Sequence, residues 1–196
     1  MLINSLIKII KIKKNNKMEK LDALLEDFKK KNNYSKVIKY YGNTNSKIVI
    51  LAESPTEKHL KETLSESIFC FDLKDFDQTR KSGEVVLKIF KDLGLNYNDY
   101  FFDNIFKLPI INLTDEEKNN HLELMKKELE LLKPTLILTL GYVTRSYLYD
   151  LMVKYRLNYN VINIYHPSFI LRSNYNNYDN YLKMWEVALN VKRNNN

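Results

Sequence analysis

Two residues of the kind that performs acid–base chemistry stand at the ends of apolar runs. His166 follows Val161-Ile162-Asn163-Ile164-Tyr165, an alternating β-branched stretch that reads as a buried strand, and Pro167 stops regular structure immediately afterwards. Glu53 follows a second apolar run, Lys47 to Leu51, and stands in the polar, proline-broken turn Ala52-Glu53-Ser54-Pro55-Thr56. Parallel α/β sheets hold their ligands at such strand ends. If the two strands neighbour each other, a carboxylate and an imidazole share one site. The carboxylate then polarises or positions a water and offsets positive charge, and the imidazole offers a donor to developing negative charge. Taken singly, Glu53 is a solvated turn residue and His166 a capping or core histidine. The pair of strand ends makes them a candidate site.

The elements that must position this pair are legible from periodicity. Leu21, Leu24, Leu25 and Phe28 fall on one helical face, and Lys29 to Asn33 end that helix. Lys47 to Leu51, Tyr100 to Phe106, Thr135 to Leu140 and the run into His166 read as four strands, with Val37 to Tyr41 a short extended piece. A helix is expected around Glu57 to Glu66, and Ile68 to Phe71 reads as a strand or a buried loop. Val85, Val86, Ile89, Phe90 and Leu93 make a helix face closed at Gly94. Thr114 with Glu117 fits a capping box opening a helix through Leu122, Met125, Leu129 and Leu132. Val143 to Val153 and a helix with Tyr181, Trp185 and Leu189 follow. Strands alternating with helices predict a three-layer α/β/α sandwich with a mainly parallel four-stranded sheet. Residues 19–192 are expected to form the domain, 1–18 a basic extension and 193–196 a frayed tail.

Composition narrows the class. The 196 residues fit one domain. There are 31 basic and 24 acidic residues, a formal charge of +7, which favours an anionic partner, nucleic acid first. Cys70 is the only cysteine, which excludes an intrachain disulfide or a four-thiolate cluster and points to a reducing, cytoplasmic or nuclear home. Residues 1–14 are apolar but interrupted by lysines and fall short of the roughly 20 apolar residues of a spanning helix, so neither secretion nor a membrane span is expected. A basic helix lying on a membrane surface is the alternative for that segment. His59 and His121 lie on predicted helices with surface positions as the default, Lys107 reads as a solvated or structural charge, and no metal-ligand spacing joins the histidines to Cys70.

With these residues in view, the chain resembles the uracil-DNA glycosylase superfamily, closest to its iron-sulfur-cluster group. Ala52-Glu53-Ser54-Pro55-Thr56 resembles a G-E-x-P-G motif after a strand. His166-Pro167-Ser168-Phe169-Ile170-Leu171-Arg172 resembles H-P-S/A followed by an aromatic and Leu-Arg. Between them lie Lys81-Ser82-Gly83, Asp103-Asn104-Ile105-Phe106-Lys107-Leu108-Pro109 and Lys133-Pro134 through Leu140-Gly141, in the family's order. Two features depart from the pattern: Ala52 and Thr56 replace glycines, and the cluster cysteines are missing.

The resemblance implies hydrolysis of the N-glycosidic bond of a deaminated base in DNA, uracil first, without a metal or organic cofactor and by a monomer. Glu53 and His166 would be catalytic, His166 donating to the O2 oxygen of the departing base. Asn104 has an amide able to accept from N3 and donate to O4 of uracil. Phe71 would stack on the base, with Phe69 and Phe76 equally placed by spacing. Leu171 would wedge the gap left by a flipped nucleotide, in single- or double-stranded DNA, and Ser54, Lys81, Ser168 and Arg172 would contact phosphates. Three alternatives remain: a glycosylase for hypoxanthine or xanthine, a catalytically silent DNA-binding or replication accessory protein, and a small-molecule nucleotide hydrolase.

Overall fold

The structure is a computed structural model, and it describes residues 2–62, 65–72 and 81–191, the side chains of residues 2–15 and 62 excepted. Five strands form one sheet in the order β1-β3-β2-β4-β5, namely β1 (Tyr41–Gly42), β2 (Ile48–Ala52), β3 (Phe101–Asn104), β4 (Leu136–Leu140) and β5 (Val161–Ile164). β2 to β5 are mutually parallel, with Ala52 opposite Asn104 and Leu140 opposite Ile164, so their carboxyl ends share one rim. The fifth strand, β1, was expected only as an extended piece. It pairs antiparallel with β3 through two residues, where Gly42 comes so close to Tyr100 that a Cβ would lie 2.0 Å from its carbonyl oxygen.

Side chains alternate across the sheet and so build two cores. Ile50, Ala52, Phe102, Leu138 and Leu140 face α3 (Lys81–Asp92), α6 (Ser168–Arg172) and α7 (Tyr178–Leu189), where Trp185 and Tyr181 are fully buried. Val49, Leu51, Phe101 and Ile137 face α1 (Leu2–Lys31), α4 (Asp115–Leu132) and α5 (Tyr142–Tyr155). The three layers are those expected. The expected capping box is present: Thr114 Oγ1 accepts from the Glu117 N–H, and Glu117 accepts from the Thr114 N–H. α1 is longer than its apolar spacing indicated, so the boundary expected at residue 18 falls inside one helix. Lys17 Nζ donates to the carbonyls of Thr44 and Leu132, and Met18 packs on the core. The expected tail, 193–196, lies outside the described residues.

Two assignments from the sequence are corrected by burial. His121 is not a surface residue: the inward face of α4 carries it against Phe28 and Phe106, and burial pushes its pKa down to about 4. His59 is also buried, with Nε2 3.5 Å from Cys70 Sγ. Lys107 proves structural rather than solvated. Its Nζ, fully buried, lies 2.6 Å from Asp103 Oδ1, 2.9 Å from Glu128 Oε2 and 3.1 Å from the Asn104 carbonyl oxygen. Burial raises both carboxyls. Asp103 is compensated by Lys107 and by the Asn104 N–H, and Glu128 is pushed up to about 8 by burial and by Asp103. Lys107→Met would leave two carboxyl groups buried without a cation. It is expected to cost about 3–5 kcal/mol in urea unfolding. A loss below ~1 kcal/mol would show that the cluster is not the clamp its geometry describes.

Candidate active site

The rim of the parallel strands carries the candidate functional side chains. β2 leads into Glu53, β3 ends on Asn104, β4 ends before Gly141, and β5 leads to His166. Glu53 and His166 do not come from neighbouring strands, because β4 lies between β2 and β5. Gly141 closes that separation. It has a φ of +96°, and a Cβ there would stand 3.3 Å from the Cβ of His166. The absence of a side chain leaves the imidazole its place. Glu53 and His166 thus line one cleft of about 460 Å³, together with Ser54, Gly141, Tyr142 and Arg172.

Behind His166 lies a second pocket of about 340 Å³, lined by Ala52, Phe69, Asn104, His59 and Lys81 among others. His166, Ser54, Pro55 and Thr56 border both cavities and form the wall between them. The altered motif positions belong to this wall and to the pocket. Thr56 Oγ1 accepts from the His59 N–H at 3.1 Å, so this hydroxyl caps α2 (Glu57–Glu62). Ala52 is buried on the pocket side of β2.

The state of His166 follows from its hydrogen bonds. The Ser168 N–H donates to Nδ1 at 3.2 Å, and Ser168 Oγ, itself accepting from Arg172 Nη1 at 3.0 Å, lies 2.9 Å from the same nitrogen. Nδ1 is therefore an acceptor, and the ring proton sits on Nε2. Burial, reinforced by the Arg172 charge, pushes the pKa down to about 4, so the imidazole is a neutral N–H donor at physiological pH. Glu53 is half-buried, its backbone carbonyl accepting from the Phe106 N–H at 2.9 Å, while its carboxylate makes no hydrogen bond or ion pair to the described residues; burial alone pushes its pKa above the usual carboxylate range. This pair combines an unneutralised acceptor with a neutral donor.

Asn104 points to the same sheet face as Ala52 and Phe102. Its carboxamide makes no hydrogen bond to the described residues, while its backbone is held at both ends: the N–H by Asp103 Oδ1 at 2.8 Å and the carbonyl by Lys107. Phe71 does not line the pocket. It packs in the core with ring centroids 5.1 Å from Phe102 and 5.2 Å from Tyr97, and Phe69 lines the pocket in its place. The reason is local. Phe69 and Cys70 have φ of 58° and 59°, a left-handed turn that reverses which side chain faces the site. Asp72 anchors that turn by accepting from the Ser65 and Ser67 hydroxyls and from the Glu66 N–H. Phe76, the third aromatic considered, lies outside the described residues.

Of the remaining expected contacts, Lys81 and Ser54 border the pocket, and Ser168 and Arg172 border the cleft. Leu171 is half-buried against the α3–α7 core. Three residues at the site were not singled out from the sequence. His59 lines the pocket, and the exposed rings of Tyr142 and Tyr165 line the cleft.

An α/β/α domain with two adjoining cavities at the carboxyl ends of parallel strands is the class that fold and site define. The family model of the Uracil DNA glycosylase superfamily matches residues 39–189, and the chain belongs to that superfamily. Among solved structures, wild-type SMUG2 of Pedobacter heparinus has a similar fold, with a TM-score of 0.58 and 15% identity over 88% of this chain and 83% of that one. No curated protein matches the chain. Membership of the superfamily supports a uracil-DNA-glycosylase-like function in general, with DNA as the substrate.

Proposed function

We propose that this protein is a monofunctional DNA glycosylase that hydrolyses the N-glycosidic bond of a deaminated base, with uracil as the first substrate. The observation that carries this reading is the wall at His166, with a neutral Nε2–H donor beside the pocket of Asn104 and Phe69 and an unpaired carboxylate in the adjoining cleft. Cleavage leaves positive charge on the sugar and negative charge on the base. A base seated beside Asn104 would be stacked on Phe69, and its O2 would receive the His166 proton donor as charge develops there. Glu53 would stand on the sugar side, orienting water and offsetting the oxocarbenium charge. A base in a duplex must first be extruded, at a cost of a few kcal/mol, and Lys81 and Arg172 offer cations for the flanking phosphates.

Asn104 sets the choice of base. Its amide oxygen can accept from uracil N3–H while its NH2 donates to O4, a pattern cytosine does not present. Asn104→Ala is expected to lower uracil release from an end-labelled oligonucleotide about ten- to a hundred-fold, the ~1–3 kcal/mol of a lost bidentate pair. An unchanged uracil rate would move the reading toward hypoxanthine or xanthine. The deciding experiment offers oligonucleotides with each of the three bases and scores alkali-labile sites. No product from any of them, with DNA binding retained, would favour a silent binding protein, the reading to which Ala52 and Thr56 lend support.

A further inference from the structure

The cleft outside the catalytic wall carries aromatic surface for which glycosidic bond cleavage has no use. Tyr165 is 52% exposed and Tyr142 70% exposed, and both line the cleft that holds Glu53 and His166. Phe169 backs the Tyr165 ring, with centroids 4.5 Å apart and planes 29° apart, and the Tyr181 hydroxyl holds the Tyr165 carbonyl at 2.8 Å. The guanidinium of Arg145 lies 5.4 Å from the Tyr142 ring centroid, and Arg172 borders the same cleft. Large rings left in water beside cations, and held by packing, are the ingredients of a base-stacking platform.

We infer that Tyr165, backed by Phe169, together with Tyr142 and Arg145, forms a subsite for the nucleotide next to the target base, and that the strand it takes is single-stranded DNA. This rests on the glycosylase reading for the placement of the target. The charge of +7 suits a polyanion, and the platform is continuous with the catalytic wall. Single strands are selected because a neighbouring base can stack on a tyrosine only if it is free to leave its own helical stack. The other route to a flipped base, a wedge that fills the gap in a duplex, is weakened here: Leu171 is half-buried in the core rather than standing free.

The test reads binding, so it does not depend on base release. A fluorescein-labelled single-stranded oligonucleotide carries 2′-fluorodeoxyuridine, which resists cleavage, and a matched probe replaces each neighbouring nucleotide by a baseless tetrahydrofuran unit. Fluorescence anisotropy is measured with wild type, Tyr165→Ala, Tyr142→Ala and Tyr165→Trp. The single strand is expected to bind at least ten-fold tighter than the duplex of the same sequence. Removing the neighbouring bases or the Tyr165 ring each weakens binding about ten-fold, the two losses do not add, and Tyr165→Trp restores affinity. Baseless neighbours binding as well as normal ones, additive losses, or tighter duplex binding would overturn the subsite. An enzyme that releases uracil yet shows no coupling would sink the subsite alone. A protein that shows the coupling but releases no base would sink the glycosylase reading alone.

Discussion

His166→Ala is expected to slow base release about 10²–10³-fold in single-turnover assays on a uracil-containing oligonucleotide, with oligonucleotide affinity changed far less. A donor aimed at charge that appears only in the transition state contributes roughly 3–4 kcal/mol, and little of it is felt in the ground state. Three features suit His166 to the proposed donor role. The Ser168 N–H and hydroxyl occupy Nδ1, which leaves Nε2 to carry the proton. A pKa near 4 keeps the ring neutral. Gly141 keeps clear the volume into which the side chain projects. The ring need not reorganise during the reaction. A variant within three-fold of wild type would remove His166 from the chemistry and leave it a wall residue.

Glu53→Gln is the second large effect, an expected loss of about 10²–10⁴-fold, the range for a positioned acid–base group. Glutamine keeps the size and polarity of the side chain and removes only its charge, so the fold is expected to survive. The pH profile supplies an independent readout. Burial raises the Glu53 pKa above the ordinary carboxylate value, and the proposed role needs the charged form. The rate of wild type therefore falls as pH drops through a value above the usual carboxylate range. Burial pushes His166 the other way, down to about 4, and Glu53→Gln separates the two groups as sources of the limb. In Glu53→Gln the limb should be missing from the residual rate. Its persistence would assign it to another group.

Much of this candidate site could be read from residue order because the side chains that line it stand at the strand ends or one or two residues beyond. Apolar β-branched runs identified β2, β4 and β5, and the polar residues following them identified Glu53 and His166. What escaped reading depends on the third dimension. Strand order is not written in local pattern, so the interposition of β4, and the need for a glycine at 141, could not be foreseen. Phe69 and Phe71 are indistinguishable by spacing, and the choice between them is made by two consecutive left-handed residues that Asp72 anchors. His59 and His121 are polar residues on inward helix faces, where a rule that sends polar groups outward fails. Thr56 stands where the resemblance expects glycine, and its hydroxyl serves as a helix cap.

The smallest element of the fold has a consequence for the protein in solution. β3 is buried along its whole length, with Phe101 and Phe102 both fully covered, and without β1 it would present an open apolar margin ready to pair with another molecule. Tyr41 and Gly42 seal that margin with two residues, and the close approach at Gly42 admits no side chain. At the opposite margin β5 is only four residues long. The two-residue cover thus occupies the margin of β3 that another molecule would otherwise pair with, whereas β5, as short as β3, has no such cover among the described residues. Damage to the Tyr41–Gly42 cover would first be seen as aggregation, with the chemistry of the remaining soluble molecules intact.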